Sequence, residues 1–237
     1  MQQIPIHGPR VAFFGGSFDP PHLGHLAIAR AAQQALHLDA VLFAPVGTQP
    51  LKPLGSTASF EDRLAMTRLA IANQSSFELS LADAPKSTGQ PNFTIDTLRH
   101  LRSQLPTNGA LFCLMGADSL VNLKHWHHAA LIPFVASLVV ASRPGEPLDD
   151  LQSALPDGLS IEPSEADEEA NPSVRKFALQ NSAGESAPFY LLPELEVEIS
   201  ASQIRDALRA IDRAHLAAST LLADAVSNYI CAHRLYL

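Results

Sequence analysis

Short apolar runs bounded by turn residues recur along the first 142 residues of the chain. They occupy residues 11–14, 40–46, 77–81, 110–116 and 134–142. Their apolar positions do not alternate with polar ones, which is typical of strands buried on both faces of a parallel sheet. Segments of helical composition separate them at residues 25–36, 60–72 and 94–105. This alternation predicts an α/β fold with a doubly wound parallel sheet.

The pattern changes between Pro144 and about Pro188, where Pro, Ser, Glu, Asp and Ala dominate with little periodicity. We expect an acidic surface insertion at about 144–188, partly mobile, within a single domain that spans residues 1–237. Order is expected to resume with a strand in residues 189–200. C-terminal helices are predicted at about 202–210 and 219–231, within a region of about 200–237.

Charge is concentrated in that acidic segment. The net charge is −8, but nine carboxylates and no Lys or Arg fall between residues 146 and 169, so the rest of the chain is nearly neutral. The sequence shows no basic face of the kind that binds nucleic acid. A small phosphorylated substrate is compatible with this distribution.

Membrane insertion, disulfides and zinc are not expected. The longest apolar stretch, residues 131–141, is too short to span a bilayer and contains Pro133, and the N-terminus has no apolar leader, which predicts a cytoplasmic protein. Cys113 and Cys231 are far apart in sequence and have no CxxC or Cys/His spacing. Both are expected to be reduced, with Cys113 in the core.

The stretch "GGSFDPPHLGH" at residues 15–25 follows the first predicted strand directly. Gly15 and Gly16 allow the backbone to approach a ligand closely, because no Cβ is in the way. Two prolines then keep the chain out of helical geometry until about His22. A helix starting there presents unpaired N–H groups at its first turn.

The two histidines of this stretch share that helix end. His22 and His25 are three residues apart, which places both imidazoles on one face, and Gly24 keeps the surface between them low. The whole arrangement favours an anion, most simply a polyphosphate. A solvated turn with two surface histidines is the alternative, and the stretch fits neither the Walker loop nor the G-x-G-x-x-G fingerprint.

A second anion-binding pattern lies near the C-terminus, in "ISASQIR" at residues 199–205. Ser200 or Ser202 is suited to cap the helix that follows. Arg205 lies near the beginning of that helix, where its guanidinium can bind phosphate oxygens with two donors. An ordinary capped helix with a surface Arg is the alternative.

The two stretches resemble the G-x-F-D-x-x-H-x-G-H and I-S-S-T-x-I-R motifs of the nucleotidyltransferase superfamily, in the same order. Ala201 and Ser202 depart from the second motif, and Ser202 keeps a hydroxyl. The resemblance implies catalytic roles for His22, His25 and Arg205, and for Lys52 in a segment similar to P-P-H-K. It also implies an ATP site, for which the candidate residues are Gly15, Gly16, Ser17, Phe18, Gly24, Gly116, Asp118, Ser200, Ser202 and Ile204.

Three further segments narrow the resemblance to bacterial nicotinate mononucleotide adenylyltransferases. "NFTIDTL" at residues 92–98, "MGADSLVNLKHW" at 115–126 and "SRPG" at 142–145 are similar to segments of that family. The similarity implies that Thr94, Trp126 and Arg143 bind the mononucleotide. As an isolated residue, Trp126 is better explained as a core or interface aromatic. A pyridine ring, however, needs a flat stacking partner, and this is the only Trp in the chain. The histidines on either side of it have no carboxylate or Cys at ligand spacing, which argues against a metal site there.

The implied reaction is the transfer of AMP from ATP to nicotinate mononucleotide, which forms deamido-NAD and pyrophosphate. The attacking phosphate oxygen is already anionic, so the enzyme has to align the reactants and neutralise charge, without a general base. Mg²⁺ is implied as the counter-ion of ATP. Two alternatives are a phosphopantetheine adenylyltransferase and a non-catalytic nucleotide-binding regulator on the same fold. The sequence leaves the oligomeric state open.

Overall fold

The computed structural model describes residues 8–51, 55–141, 151–164, 174–193, 195, 200–209 and 220–236. Its strands are β1 (Arg10–Gly16), β2 (Ala40–Pro45), β3 (Phe77–Leu79), β4 (Ala110–Gly116), β5 (Ser137–Ala141), β6 (Leu159–Pro163), β7 (Arg175–Asn181) and β8 (Ser186–Leu192). Its α-helices are α1 (Leu23–Leu36), α2 (Phe60–Ile71), α3 (Thr94–Gln104), α4 (Ala117–Val121), α5 (Ile132–Val135), α6 (Leu151–Ala154), α7 (Ala201–Arg209) and α8 (Asp224–His233). Two 3₁₀ turns, Leu123–His125 and Ala129–Leu131, connect α4 to α5.

The strands form one sheet in the order β3-β2-β1-β4-β5-β8-β7-β6. All neighbouring pairs from β3 to β8 are parallel, whereas β7 is antiparallel to both β8 and β6. The direction of winding changes between β1 and β4, because β2 and β3 extend the sheet to one side and β5 extends it to the other. In sheets of this type, the crevice at the carboxyl ends of the strands at such a point binds ligands.

Helices cover both faces of the sheet, and the alternation of side chains along β1 divides the core between them. Ala12 and Phe14 belong to the core on the side of α1, α2, α7 and α8. Val11 and Phe13 belong to the core on the side of α3, α4 and α5. The parallel α/β fold predicted from the sequence is confirmed. Gly15 and Gly16 follow at the end of β1, between these two packed layers.

The expectation of an irregular insertion at 144–188 is wrong for the residues of it that the structure describes. Residues 159–163 and 175–181 are strands of the main sheet, and the latter pairs with β8. Phe177 and Leu179 are buried against the core on the α3 side. Along β7, the inward positions Phe177 and Leu179 alternate with outward ones, as the pleat of a strand requires.

Most of the remaining predicted elements agree with the structure to within a few residues, but the apolar run 134–142 was misassigned at its start. Pro133 lies in the first turn of α5, and Phe134 and Val135 are helical, so β5 begins only at Ser137. Pro is well accommodated at the first turn of a helix. The final helix is also shifted, since α8 begins at Asp224 rather than near 219. Within the described ranges, no helix is both long enough and apolar enough to cross a membrane.

Candidate active site

A cavity of about 300 Å³ opens at the carboxyl ends of the strands on either side of the winding change. Gly15 and Gly16 of β1 and Met115 of β4 form its base. The chain after β2 and the chain between β3 and α3 form its walls, and Trp126 closes it from the segment after β4. The cavity therefore lies where the sheet topology predicts a ligand site.

Gly15 is required by packing as well as by access to the cavity. A Cβ at this position would lie 2.6 Å from the Phe13 ring, which already fills that space. The chain then turns sharply through Phe18, whose backbone is left-handed with φ of 47°. The ring of Phe18 is buried and packs against Phe14 and Phe43, with centroids 5.6 Å away from each. Its side chain therefore supports the loop rather than facing a ligand.

The segment 17–22, here called the histidine loop, leads into α1, which begins at Leu23 with His22 as its N-cap. The rings of His22 and His25 lie 3.7 Å apart between centroids, at an interplanar angle of 30°. This confirms that the two imidazoles share one face at the amino end of the helix. Gly24, between them, is buried in the first turn.

Hydrogen bonding defines the protonation pattern of His25. Its Nδ1 accepts a bond of 3.1 Å from the backbone N–H of His22. In a neutral imidazole the other nitrogen, Nε2, then carries the proton and acts as a donor. The ring also packs against Phe18, with centroids 4.9 Å apart, so its orientation is fixed. A donor held rigidly at a positively polarised helix end is suited to stabilise phosphate oxygens.

The second motif meets the first in space. Arg205 Nη1 donates a bond of 2.7 Å to the backbone carbonyl of Asp19, and its Nη2 donates to Ser202 Oγ at 3.1 Å. The helix α7 that carries Arg205 follows Ser200, whose carbonyl accepts from the Ile204 N–H. Ser200 thus occupies the N-cap position by its backbone. The structure therefore brings Arg205 to the histidine loop, 186 residues earlier in the chain.

A buried arginine that the sequence did not single out braces the same loop. Arg63 of α2 is 2% exposed and donates to the Ser17 carbonyl at 2.7 Å and to the Val46 carbonyl at 2.9 Å. Ser17 Oγ also donates to Gln49 Oε1 at 2.9 Å. These bonds connect the chain after β1 with the chain after β2. The end of β1 and the chain after β2 both contribute residues to the cavity lining, so the bonds of Arg63 and Gln49 fix the relative position of two parts of the cavity wall.

Thr94 and Trp126 line the cavity together, on the α3 side of the sheet. Thr94 is the first residue of α3, whose first N–H groups have no partner within the helix. Asn92 holds this end in place, because its Oδ1 accepts from the Thr48 N–H at 3.1 Å and its Nδ2 donates to the Ala84 carbonyl at 3.0 Å. A flat aromatic side chain and a helix amino end therefore face one space.

Two further titratable groups line the cavity. Asp83 is buried and accepts a hydrogen bond from Thr97 Oγ1, and burial raises its pKa to about 6 despite that bond. Burial also raises the pKa of the Cys113 thiol to about 12, with a contribution from the charge of Asp83. Cys113 is thus the core residue that the sequence predicted. It remains a thiol near neutral pH, which excludes it as a nucleophile.

Other predicted site residues are placed less directly. Gly116 ends β4 and is half-buried, and Asp118 is exposed in the first turn of α4. The Ile204 side chain is fully buried, so only the backbone of Ile204 can reach a ligand. Lys52 and Arg143 lie outside the described residues. His25 and Arg205 are on the α1 side of the sheet, beside the cavity rather than in its lining.

The structure adds cavity residues that the sequence did not indicate. These include Gln49, Asp83, Phe93, Ser119, His125 and His127. The His127 ring stacks on Phe93 with centroids 4.3 Å apart. Over the described parts of the chain, no group of three or more His, Cys, Asp or Glu side chains is arranged to hold a metal ion. Of the histidines around Trp126, His125 and His127 line the cavity.

Comparison with known proteins defines the class first. Residues 13–207 match the family model described as cytidylyltransferase-like, and the chain belongs to that family. It is 39% identical over 230 residues to the probable nicotinate-nucleotide adenylyltransferase of Gloeobacter violaceus, with 97% of each chain covered. The protein of the same name from Laribacter hongkongensis is 39% identical over 233 residues, with 96% of each covered. Within its class, the chain therefore belongs with the nicotinate-nucleotide adenylyltransferases.

The fold is also found in a solved structure. The nicotinic acid mononucleotide adenylyltransferase of Plasmodium falciparum, complexed with NaAD, superimposes with a TM-score of 0.70 at 15% identity. The alignment covers 97% of this chain and 98% of that one. The two proteins therefore share this fold.

Proposed function

We propose that the protein transfers AMP from ATP to nicotinate mononucleotide and forms deamido-NAD and pyrophosphate. The observation that carries this proposal is the position of the cavity. It joins the phosphate-binding pattern at Gly15 and Gly16 to a wall made by Thr94 and Trp126. The relatives in the same family carry the name of this reaction, which supports the assignment.

Charge neutralisation and alignment account for the proposed chemistry. A phosphate oxygen of the mononucleotide attacks the α-phosphorus of ATP, a new P–O bond forms, and the bond to the bridging oxygen of the β-phosphate breaks to release pyrophosphate. His22 and His25 donate hydrogen bonds to the α-phosphate oxygens as charge moves onto them. Arg205, with two donors, holds the β- or γ-phosphate. ATP enters with Mg²⁺ as part of the substrate, and the ion is held mainly by the triphosphate and water.

Lys52 and Arg143 are proposed as additional cationic contacts. Lys52 is the residue after Leu51 in the sequence, and Leu51 lines the cavity. Arg143 is two residues beyond the end of β5 in the sequence. Lysine provides a point charge for phosphate, whereas arginine provides a planar pair of donors. We assign Lys52 to the triphosphate and Arg143 to the mononucleotide.

The acceptor pocket distinguishes nicotinate from nicotinamide by charge. The amino end of α3 at Thr94 presents N–H donors and a positive dipole to the nicotinate carboxylate. Trp126 stacks on the pyridine ring, which fixes the orientation of the carboxylate. The amide of nicotinamide has no negative charge and directs a donor at these donors. Such mispairing in a closed pocket costs about 1–3 kcal/mol.

Pyrophosphate release with ATP and each candidate acceptor tests the assignment. Purified protein is incubated with ATP and nicotinate mononucleotide, with ATP and phosphopantetheine, and with ATP alone, and the dinucleotide product is identified by mass. The proposal expects release with nicotinate mononucleotide and formation of deamido-NAD. Release only with phosphopantetheine would replace it with the related adenylyltransferase, and nucleotide binding without turnover would indicate a regulator.

A further inference from the structure

Asp19 is the point at which three distant parts of the chain meet the histidine loop. Its carboxylate is 4% exposed and accepts hydrogen bonds from the Thr57 N–H at 2.7 Å, the Ala58 N–H at 3.1 Å and the Tyr236 hydroxyl at 2.8 Å. A buried carboxylate is stable only when such donors surround it. Asp19 thus holds the segment before α2 and the C-terminal turn against the loop.

The backbone of the same residue holds the catalytic arginine. The Asp19 carbonyl accepts the 2.7 Å bond from Arg205 Nη1, so the carboxylate and the carbonyl of one residue are fixed by different partners. His22 follows Asp19 after only two residues. A shift of the Asp19 backbone would therefore move Arg205 relative to His22, and both are assigned to the phosphates.

Tyr236 reaches Asp19 because the chain folds back after α8. Arg234 and Tyr236 adopt left-handed backbones with φ of 51° and 67°, and the Leu235 N–H donates to the Ile230 carbonyl at 3.0 Å. The phenol is 6% exposed. Burial, with the charge of Asp19, raises its pKa, so the hydroxyl keeps its proton and remains a donor.

We infer that Tyr236 is a positioning residue for adenylyl transfer: its hydroxyl, acting through Asp19, fixes the histidine loop relative to Arg205. Neither Asp19 nor Tyr236 lines the acceptor cavity. Loss of the hydroxyl is therefore expected to affect alignment of the triphosphate and to leave acceptor binding unchanged. This inference rests on the proposed function, and the wild-type rate with ATP and nicotinate mononucleotide tests that function separately.

A matched pair of variants separates positioning from simple packing. Tyr229 on α8 also donates a phenol hydrogen bond to a carboxylate, Asp62 Oδ1 at 3.0 Å, and so connects the same helix to α2 without touching the histidine loop. Tyr236→Phe and Tyr229→Phe each remove one phenol–carboxylate bond. The two variants lose the same kind of bond, but only the first loses one to Asp19.

Steady-state kinetics, measured at a temperature well below the unfolding midpoint of each variant, tests the inference. Tyr236→Phe is expected to lower kcat about tenfold, with KM for nicotinate mononucleotide within about twofold of wild type, and Tyr229→Phe to change neither. Equal kcat in the two variants, or a rise in KM alone, would overturn the inference.

A double-mutant cycle tests the route through Asp19. Asp19→Ala removes the acceptor of the Tyr236 hydroxyl, so adding Tyr236→Phe to it is expected to lower kcat by less than threefold more. The free energy of unfolding of each variant is measured alongside, to confirm that every rate comes from folded protein. Independent, multiplicative losses in kcat would show that Tyr236 does not act through Asp19.

Discussion

The imidazole of His25 combines a fixed orientation with a defined proton, and this makes it the residue on which the proposed chemistry depends most. Its Nδ1 is engaged by the His22 N–H, and its ring is packed against Phe18. The donor Nε2 therefore requires no reorganisation when charge develops on a phosphate. Preorganised donors of this kind contribute more to catalysis than mobile ones.

His25→Ala is expected to lower kcat by roughly 10²-fold, the scale on which the loss of one preorganised donor acts. The matched control is His37→Asn at the exposed carboxyl end of the same helix, where Asn tolerates the left-handed backbone with φ of 49°. Steady-state turnover of both variants at saturating substrates makes the comparison. A kcat near the wild-type value in His25→Ala would remove this residue from the mechanism.

Asp83 makes stability depend on pH in a definite direction. Because the folded state raises its pKa from 3.8 to about 6, the native protein binds more protons than the unfolded chain within this window. The contribution of Asp83 to the free energy of unfolding is therefore most favourable below about pH 4, and this contribution is lost as pH rises through 6. The loss amounts to about 3 kcal/mol at pH 7.

Asp83→Asn isolates this contribution, since Asn keeps an acceptor for Thr97 and cannot ionise. Urea unfolding of the wild type and the variant between pH 4 and 7 gives the two profiles. As pH rises across this range, the free energy of unfolding of the variant is expected to increase by about 3 kcal/mol relative to that of the wild type. Parallel profiles would show that Asp83 is not buried as a titrating carboxyl.

Among the elements, the buried parallel strands and the helices between them could be predicted from the sequence, because unbroken apolar runs and helical periodicity are local signals. The strand predicted at residues 110–116 has the same bounds as β4. The predicted strand at 189–200 overlaps β8, but β7 was missed, since only alternate positions there, such as Phe177 and Leu179, are apolar. Its period of two and the turn around Gly184, with φ of 79°, were signals that could have revealed it.

The hairpin of β7 and β8 contributes to the core, and Phe189 shows this most clearly. Its ring is fully buried and meets Phe177 edge to face, with centroids 5.9 Å apart. Phe189→Ala is expected to lower the free energy of unfolding by about 3–5 kcal/mol. The exposed Gln180→Ala in β7 should change it by no more than about 0.5 kcal/mol. Denaturant unfolding measures both, and a cost below about 1 kcal/mol for Phe189 would show that the hairpin is not part of the main core.

The parts of the candidate site that could be predicted are those whose residues lie close together in the sequence. The spacing of His22 and His25 and the segment around Arg205 were sufficient to place those residues. Asp83, Arg63 and the Asp19–Tyr236 pair were not predictable, because their partners come from distant parts of the chain. In the last case they are 217 residues apart. Only the fold brings such groups together, and no local pattern marks them.

At the scale of the whole molecule, the sheet separates the side chains proposed to bind the triphosphate from those proposed to bind the acceptor, and the end of β1 lies between the two groups. His25 and Arg205, the side chains proposed to bind phosphate, are on the α1 face, and Thr94 and Trp126 are on the α3 face. Gly15 lies at the end of β1, between the two layers. Under the proposed function, the acceptor would bind on one side of the strand end and the triphosphate on the other, with the glycines between them.

Acceptor selectivity tests the central claim most directly. Values of kcat/KM are measured for nicotinate mononucleotide and nicotinamide mononucleotide at saturating ATP, in the wild type and in Trp126→Ala. The wild type is expected to prefer nicotinate by at least roughly tenfold, and Trp126→Ala to raise KM for both acceptors while KM for ATP is unchanged. Equal efficiencies with the two mononucleotides, or a preference for the amide, would contradict the assignment of nicotinate mononucleotide as the acceptor.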